Sequence, residues 1–162
     1  MRNEQDKAKV ERMVFLKFVE NAHLDYDLST IRKGEISEPE ILEPDILCKN
    51  SIGEYVAFEI TELCDEKIAK ISNTLKDEEK YFRTDENSLV RGIERKLTRR
   101  YTTPYPIELI CYINNRTILT ANILQPTILD RLKVQLNAPH PFRKIWLLSE
   151  IDEVERLWSN EQ

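Results

Sequence analysis

The segment from Ile107 to Ile113 is almost continuously apolar and closes on Asn114-Asn115. A run of this kind fits a strand buried on both faces, which needs other layers packed above and below it. Elements of helical period surround it. Val10, Val14, Phe15, Phe18 and Val19 predict a helix over about Glu4 to Asn21. Asp65 is placed to cap a helix running to about Phe82, and Leu89, Ile93, Leu97 and Tyr101 mark another that stops before Pro104. Ile128, Leu129, Leu132 and Leu136 predict a helix from near Pro126, Lys144 to Leu148 a last core strand, and Ile151 to Trp158 a closing helix. Residues 25–40 are polar and read as a loop with a short strand near Ile36. The expected order is helix, hairpin, two helices, strand, helix, strand, helix: one α/β domain over residues 1–162, its mixed sheet flanked by helices.

Several function classes fall away on composition. Only three glycines, Gly34, Gly53 and Gly92, occur in 162 residues, so no glycine-rich phosphate cradle can form. No stretch approaches the roughly 18 apolar residues of a membrane helix, and Met1 to Lys9 carries no apolar signal core. The expectation is a cytoplasmic protein with no membrane partner. Cys48, Cys64 and Cys111 lack the close pairing of zinc ligands, and His23 and His140 stand far from them and from each other. All five read as structural or incidental. The net charge of −5 conceals an asymmetry, because residues 1–86 hold 13 basic and 21 acidic side chains and residues 87–162 hold 11 and 8. An acidic chain divided in this way can still present a basic face.

The chemistry lies in the predicted hairpin. Ile41 to Cys48 and Tyr55 to Leu63 read as strands joined by the turn Lys49-Asn50-Ser51-Ile52-Gly53. Alternation puts Val56, Phe58 and Ile60 on one face of the second strand, and Ala57, Glu59 and Thr61 on the other. Pairing through that turn lets Asp45 and Glu59 converge from neighbouring strands. Two carboxylates near an apolar core repel each other and lose hydration unless a cation joins them. Mg²⁺ accepts such a pair, keeping its own waters and room for a phosphate. Glu59 and Thr61 equally suit the wet face of an amphipathic antiparallel strand.

Pro44-Asp45, a turn, and Phe58-Glu59-Ile60-Thr61 resemble the PD-(D/E)XK nuclease superfamily, and the element order over residues 8 to 150 resembles its restriction-endonuclease-like αβββαβ core. The resemblance implies a metal-dependent nuclease that hydrolyses phosphodiester bonds of DNA or RNA with Mg²⁺ or Mn²⁺. Asp45 and Glu59 are then the metal ligands, with the Ile60 carbonyl a further one. The family lysine falls where this chain has Thr61, whose hydroxyl cannot supply its positive charge. Some members resemble this arrangement and take a basic residue from a following helix. Lys96 fits, lying about 60° round that helix from Ile93 at the margin of its buried stripe. The family's opening helix often adds an acid, for which Glu11 and Glu20 both qualify by position. Many proteins of this fold cut two strands as dimers, so a homodimer is compatible with the resemblance. The alternative is a catalytically inactive relative that binds nucleic acid or a protein partner, as a regulator or inhibitor, for instance in phage–host conflict.

The stretch 91–100 sets Arg91, Arg95, Lys96, Arg99 and Arg100 against Glu94 alone. Arg95, Arg99 and Arg100 are the candidates for phosphate contact, the plainer reading being a solvated helix face. Tyr101 and Tyr105 could stack on bases, but Tyr101 continues the apolar stripe. Trp146 and Trp158 have the positions of packing residues.

Overall fold

In the computed structural model, residues 3–34, 36–38, 41–63, 86–113, 121–149 and 154–160 are described. The helices are α1 (Glu4–Asn21), α2 (Glu86–Leu97) and α3 (Ala121–Asn137). The strands are β1 (Tyr26–Lys33), β2 (Ile36–Glu38), β3 (Ile41–Leu42), β4 (Ile46–Asn50), β5 (Tyr55–Leu63), β6 (Ile107–Ile113), β7 (Phe142–Leu148) and β8 (Val154–Ser159). Six strands form one mixed sheet in the order β1-β4-β5-β6-β7-β8, while β2 and β3 make a separate ribbon. The strands β5, β6 and β7 run parallel at its centre, and β1, β4 and β8 are antiparallel to their neighbours.

Side-chain alternation divides the core into two layers. Val14, Phe15, Phe18 and Val19 of α1 pack against Ile46, Cys48, Val56, Phe58 and Ile110 on one face of the sheet. On the other face, Ile93 and Leu97 of α2 and Ile128, Leu132 and Leu136 of α3 cover Leu47, Ala57, Leu109, Cys111 and Ile145. The central strand β6 contributes to both layers, as its apolar run predicts. Asn3 begins α1 by accepting a hydrogen bond from the Asp6 N–H at 2.8 Å. His23, with φ of 52°, ends it, and the Leu24 N–H returns to the Val19 carbonyl at 3.1 Å.

Four expectations need correction. Residues 26–33 form an edge strand, not a loop: polar side chains suit an edge, and a register shift between Asp27 and Arg32 breaks the alternation by which a strand is read. The expected strand Ile41–Cys48 is interrupted at residues 43–45, where Pro44 has no N–H for a ladder. The helix expected to reach Tyr101 ends at Leu97, and the Thr98 hydroxyl bonds back to the Arg95 carbonyl at 3.1 Å. The expected closing helix is strand β8 along β7. A shift in that ladder puts the successive residues Leu157 and Trp158 on one core face, and this spacing imitates a helix.

The helix α3 starts at Ala121, earlier than expected, and holds Pro126 within its N-terminal part. The helix expected over Asp65 to Phe82 and the Asn114-Asn115 turn lie outside the described residues. No helix of the described residues is long and apolar enough to cross a membrane.

Candidate active site

The hairpin that carries Asp45 and Glu59 is fixed by its turn. Asn50 N–H donates to the Glu54 carbonyl at 2.9 Å, Gly53 N–H donates to the Asn50 carbonyl at 3.0 Å, and Gly53 takes a φ of 81° that favours glycine. The resulting register pairs Ile46 with Phe58, Leu47 with Ala57 and Cys48 with Val56. Continued by one residue, it sets Asp45 beside Glu59. Asp45 Oδ2 accepts a hydrogen bond from the Ile60 N–H at 2.9 Å, which orients the carboxylate. The N–H and C=O of an extended residue leave the strand on the same side, so the Ile60 carbonyl also faces the edge that Asp45 occupies.

Glu59 is only 3% exposed, and Thr61 8%, so neither forms a wet strand face. Lys96 reaches from α2 and donates from Nζ to Glu59 Oε1 at 2.5 Å. Arg99, two residues past the helix, brings NH1 to 3.7 Å from the same oxygen. Lys96 thus reaches inward from the margin of its helix's buried stripe. Thr61 lies under α2, where a Cβ on Gly92 would stand 3.5 Å from its Oγ1. A lysine at 61 would have to pass through that packed layer.

Of the two opening-helix acids, the fold selects Glu11. It is buried and lines one cavity of about 150 Å³ together with Asp45, Glu59, Lys96 and Arg99, whereas Glu20 is exposed. Lys7 Nζ stands 3.4 Å from Glu11 Oε1, but that buried oxygen has no hydrogen-bond partner. Burial, then the nearby Asp45 charge, pushes both Glu11 and Glu59 above the usual carboxylate range, with Lys7 opposing the shift at Glu11 and Lys96 at Glu59. The cavity wall sets the carboxylates of Glu4, Glu11, Glu43, Asp45 and Glu59 against the cations of Lys7, Lys33, Lys96 and Arg99.

Lys7, Lys33, Gly34 and Glu43 also line the wall and were not legible as site residues. Gly34 is diagnostic: a Cβ there would stand 1.8 Å from the Pro44 carbonyl oxygen, and its N–H donates to the Asp45 carbonyl at 3.2 Å. Its only sequence signal is a lone glycine in a polar stretch ten residues before Pro44.

Among the described residues, no group of three or more His, Cys, Asp or Glu side chains is arranged to hold a metal ion. Mg²⁺ needs only one or two protein carboxylates when waters and a substrate phosphate complete its shell. Glu11 Oε1, with Lys7 at 3.4 Å, and the neighbouring Asp45 and Glu59 carboxylates are oxygen donors of the kind a hard cation takes. The cavity has room for a hydrated one, since a water requires only about 10–15 Å³ of such space.

The remaining candidates scatter. Arg95 is exposed on α2, and Arg100 is exposed beyond its end. Tyr101 packs on Phe142 with ring centroids 5.7 Å apart, as the apolar stripe predicts. Trp146 is half-buried and donates from Nε1 to Glu108 at 2.9 Å. Glu108, 1% exposed on the opposite face of the sheet, also accepts from Arg143 Nε at 2.9 Å. Sequence reading absorbed Glu108 into an apolar strand. Cys48 and Cys111 are buried and free.

No family model matches the chain, and no curated protein or solved structure matches it either.

Proposed function

We propose that this protein is a metal-dependent nuclease of the restriction-endonuclease-like type. The observation that carries the reading is the Lys96–Glu59 contact at 2.5 Å, formed beside Asp45 in one cavity. It joins the Glu59 carboxylate of β5, and beside it the Asp45 carboxylate just before β4, to a cation delivered by α2. With the β2–β3 ribbon set apart from the main sheet, the order α1, β1, β4, β5, α2, β6 among the described elements supports the same reading.

In this reading Asp45 and Glu59 would hold Mg²⁺ or Mn²⁺, with the Ile60 carbonyl as a further ligand. The cation would supply Lewis-acid charge to the scissile phosphate and acidify a water. Asp45, tethered through Oδ2 to the Ile60 N–H, presents its other oxygen in a fixed direction. Lys96 takes the place of the lysine that Thr61 does not provide, and its ammonium stabilises charge developing on the phosphate. Arg99 steadies Glu59 and offers a second positive group to the same phosphate. Glu11 completes the acidic wall.

A second reading, a non-catalytic relative that binds nucleic acid or a protein partner, is favoured by one observation. Lys96 and Arg99 already compensate Glu59 without any added cation. The two readings part in one experiment. Labelled single- and double-stranded DNA and RNA are incubated with protein and Mn²⁺, Mg²⁺ or chelator, beside Asp45→Asn and Glu59→Gln. Metal-dependent cleavage lost in both variants supports the nuclease. Folded protein that cuts no substrate supports the non-catalytic relative.

A further inference from the structure

On the face of β5 that carries Glu59, Tyr55 stands four residues earlier, about 13 Å away along the strand. Its ring meets that of Tyr105, from the connection between α2 and β6, with centroids 5.3 Å apart. Two cations converge on it from other strands, Arg32 Cζ at 5.3 Å and Lys49 Nζ at 5.2 Å from the ring centroid. Lys49 pairs directly with Tyr55 in the β4–β5 ladder, and Arg32 pairs with Leu47 of β4. Neither cation makes an ion pair with a carboxylate among the described residues. Cation–π contact returns only about 0.5–1 kcal/mol at an exposed site, little support for two like charges beside one ring. Among the described residues, what such a cluster lacks is an anion. Arg32 also lines a cavity with Glu11, Lys33 and Asp45, so the cluster continues into the wall of the carboxylate site.

We infer that Tyr55, Tyr105, Arg32 and Lys49 form a track for one unpaired nucleic-acid strand leading to Asp45 and Glu59. The inference rests on the nuclease reading for its ligand and narrows that reading to single-stranded substrate. Arg32 and Lys49 hold successive phosphates, and the Tyr105 ring stacks a base. Paired bases are stacked on one another and offer no free face to a tyrosine, whereas an unpaired strand offers every one. The two tyrosine rings meet at 50°, a tilt that leaves them unstacked on each other.

The test is fluorescence anisotropy in chelator, where no metal-dependent cleavage intervenes. The probes are labelled oligothymidine and oligouridine of about 12 nucleotides, beside a duplex of equal length. The expected result is tighter binding of the single strands, weakened about tenfold by Tyr105→Leu and restored by Tyr105→Phe. Arg32→Gln and Lys49→Gln, on side chains outside the core, should each lower the salt slope by about 0.7. Duplex preference, no binding, or binding indifferent to Tyr105→Leu, Arg32→Gln and Lys49→Gln overturns the track. Binding with these properties but no cleavage in metal removes the nuclease reading and leaves the track standing; cleavage of duplex alone does the reverse.

Discussion

Lys96 Nζ and Glu59 Oε1 meet at 2.5 Å across the interface between α2 and β5, although 37 residues separate them in the chain. The carboxylate is almost fully enclosed and shares its cavity with Asp45, so its charge depends on this one close contact and on Arg99 at 3.7 Å. A cation presented by a packed helix holds its position more closely than one on a loop, because the side chains beneath it fix the helix. That makes the pair the first place to perturb.

Replacing Lys96 by methionine keeps the stem and removes the charge. Glu59 is then left buried with only Arg99 nearby, and the expected cost is about 3 kcal/mol near pH 7. The cost should shrink in acid as Glu59 takes up a proton, so urea melts at two pH values check it. If the nuclease reading holds, cleavage falls by about 10²–10³-fold.

Glu11 and Glu59 both have raised pKa values, caused first by burial and next by Asp45. A carboxyl whose folded pKa exceeds its unfolded value holds its proton more tightly when folded. Its contribution is therefore complete below about 4.5 and is lost as pH rises through the raised value. Glu11→Gln should remove part of that decline and stabilise the protein near pH 7 by on the order of 1 kcal/mol. Thermal melts should also show Mn²⁺ stabilising the unaltered chain more than Asp45→Asn.

Thr61 and Gly92 face each other, and their substitutions should act in opposite directions. Gly92→Ala adds a Cβ at an ordinary 3.5 Å from Thr61 Oγ1 and gains up to about 1 kcal/mol of helix propensity. Thr61→Lys restores the family residue in sequence but forces a long cation beneath α2. A loss of about 1–3 kcal/mol with no gain in cleavage is expected from overpacking. A more active Thr61→Lys protein would contradict the assignment of that role to Lys96.

Gly34 holds the backbone of Pro44 and Asp45 by close approach. Gly34→Ala must displace the Pro44 carbonyl, since the new Cβ would stand 1.8 Å from it. Metal-dependent stabilisation should fall along with stability, because the shift reaches Asp45. Comparing Mn²⁺-induced melting shifts with those of Gly53→Ala, at a positive-φ turn away from the cavity, separates the local effect from general destabilisation.

His140 accepts a hydrogen bond from the Phe142 N–H at Nδ1, 3.2 Å away, and its ring lies 4.3 Å from that of Trp158. Burial holds its pKa below the usual 6.5. A base with a depressed folded pKa gives stability that is present above 6.5 and lost as pH falls from there toward the folded value. His140→Asn, which keeps an acceptor without a titrating ring, should flatten that part of the stability profile.

How much of this was legible follows from where each signal resides. The strand Ile107–Ile113, the stripe of α1 and the turn Asn50–Gly53 are local: apolar period and turn chemistry act within a few residues, and the structure has them where the sequence predicts. The turn sets the hairpin register, so the neighbourhood of Asp45 and Glu59 was also readable. Edges were not. The polar side chains of β1, and the ladder shift that makes β8 imitate a helix, take their meaning from the strands beside them. Likewise, sequence placed Glu11 and Glu20 on one helix without preference, and only the packing of α1 against β4 and β5 buries the first beside Asp45 and exposes the second. It placed Lys96 at the margin of a buried stripe, and only the approach of α2, at Gly92, over Thr61 of β5 brings that ammonium onto Glu59. Periodicity specifies which face of an element is buried; which charges then meet depends on how elements distant in the chain pack, because a carboxylate taken out of water must find its compensation within a few ångströms.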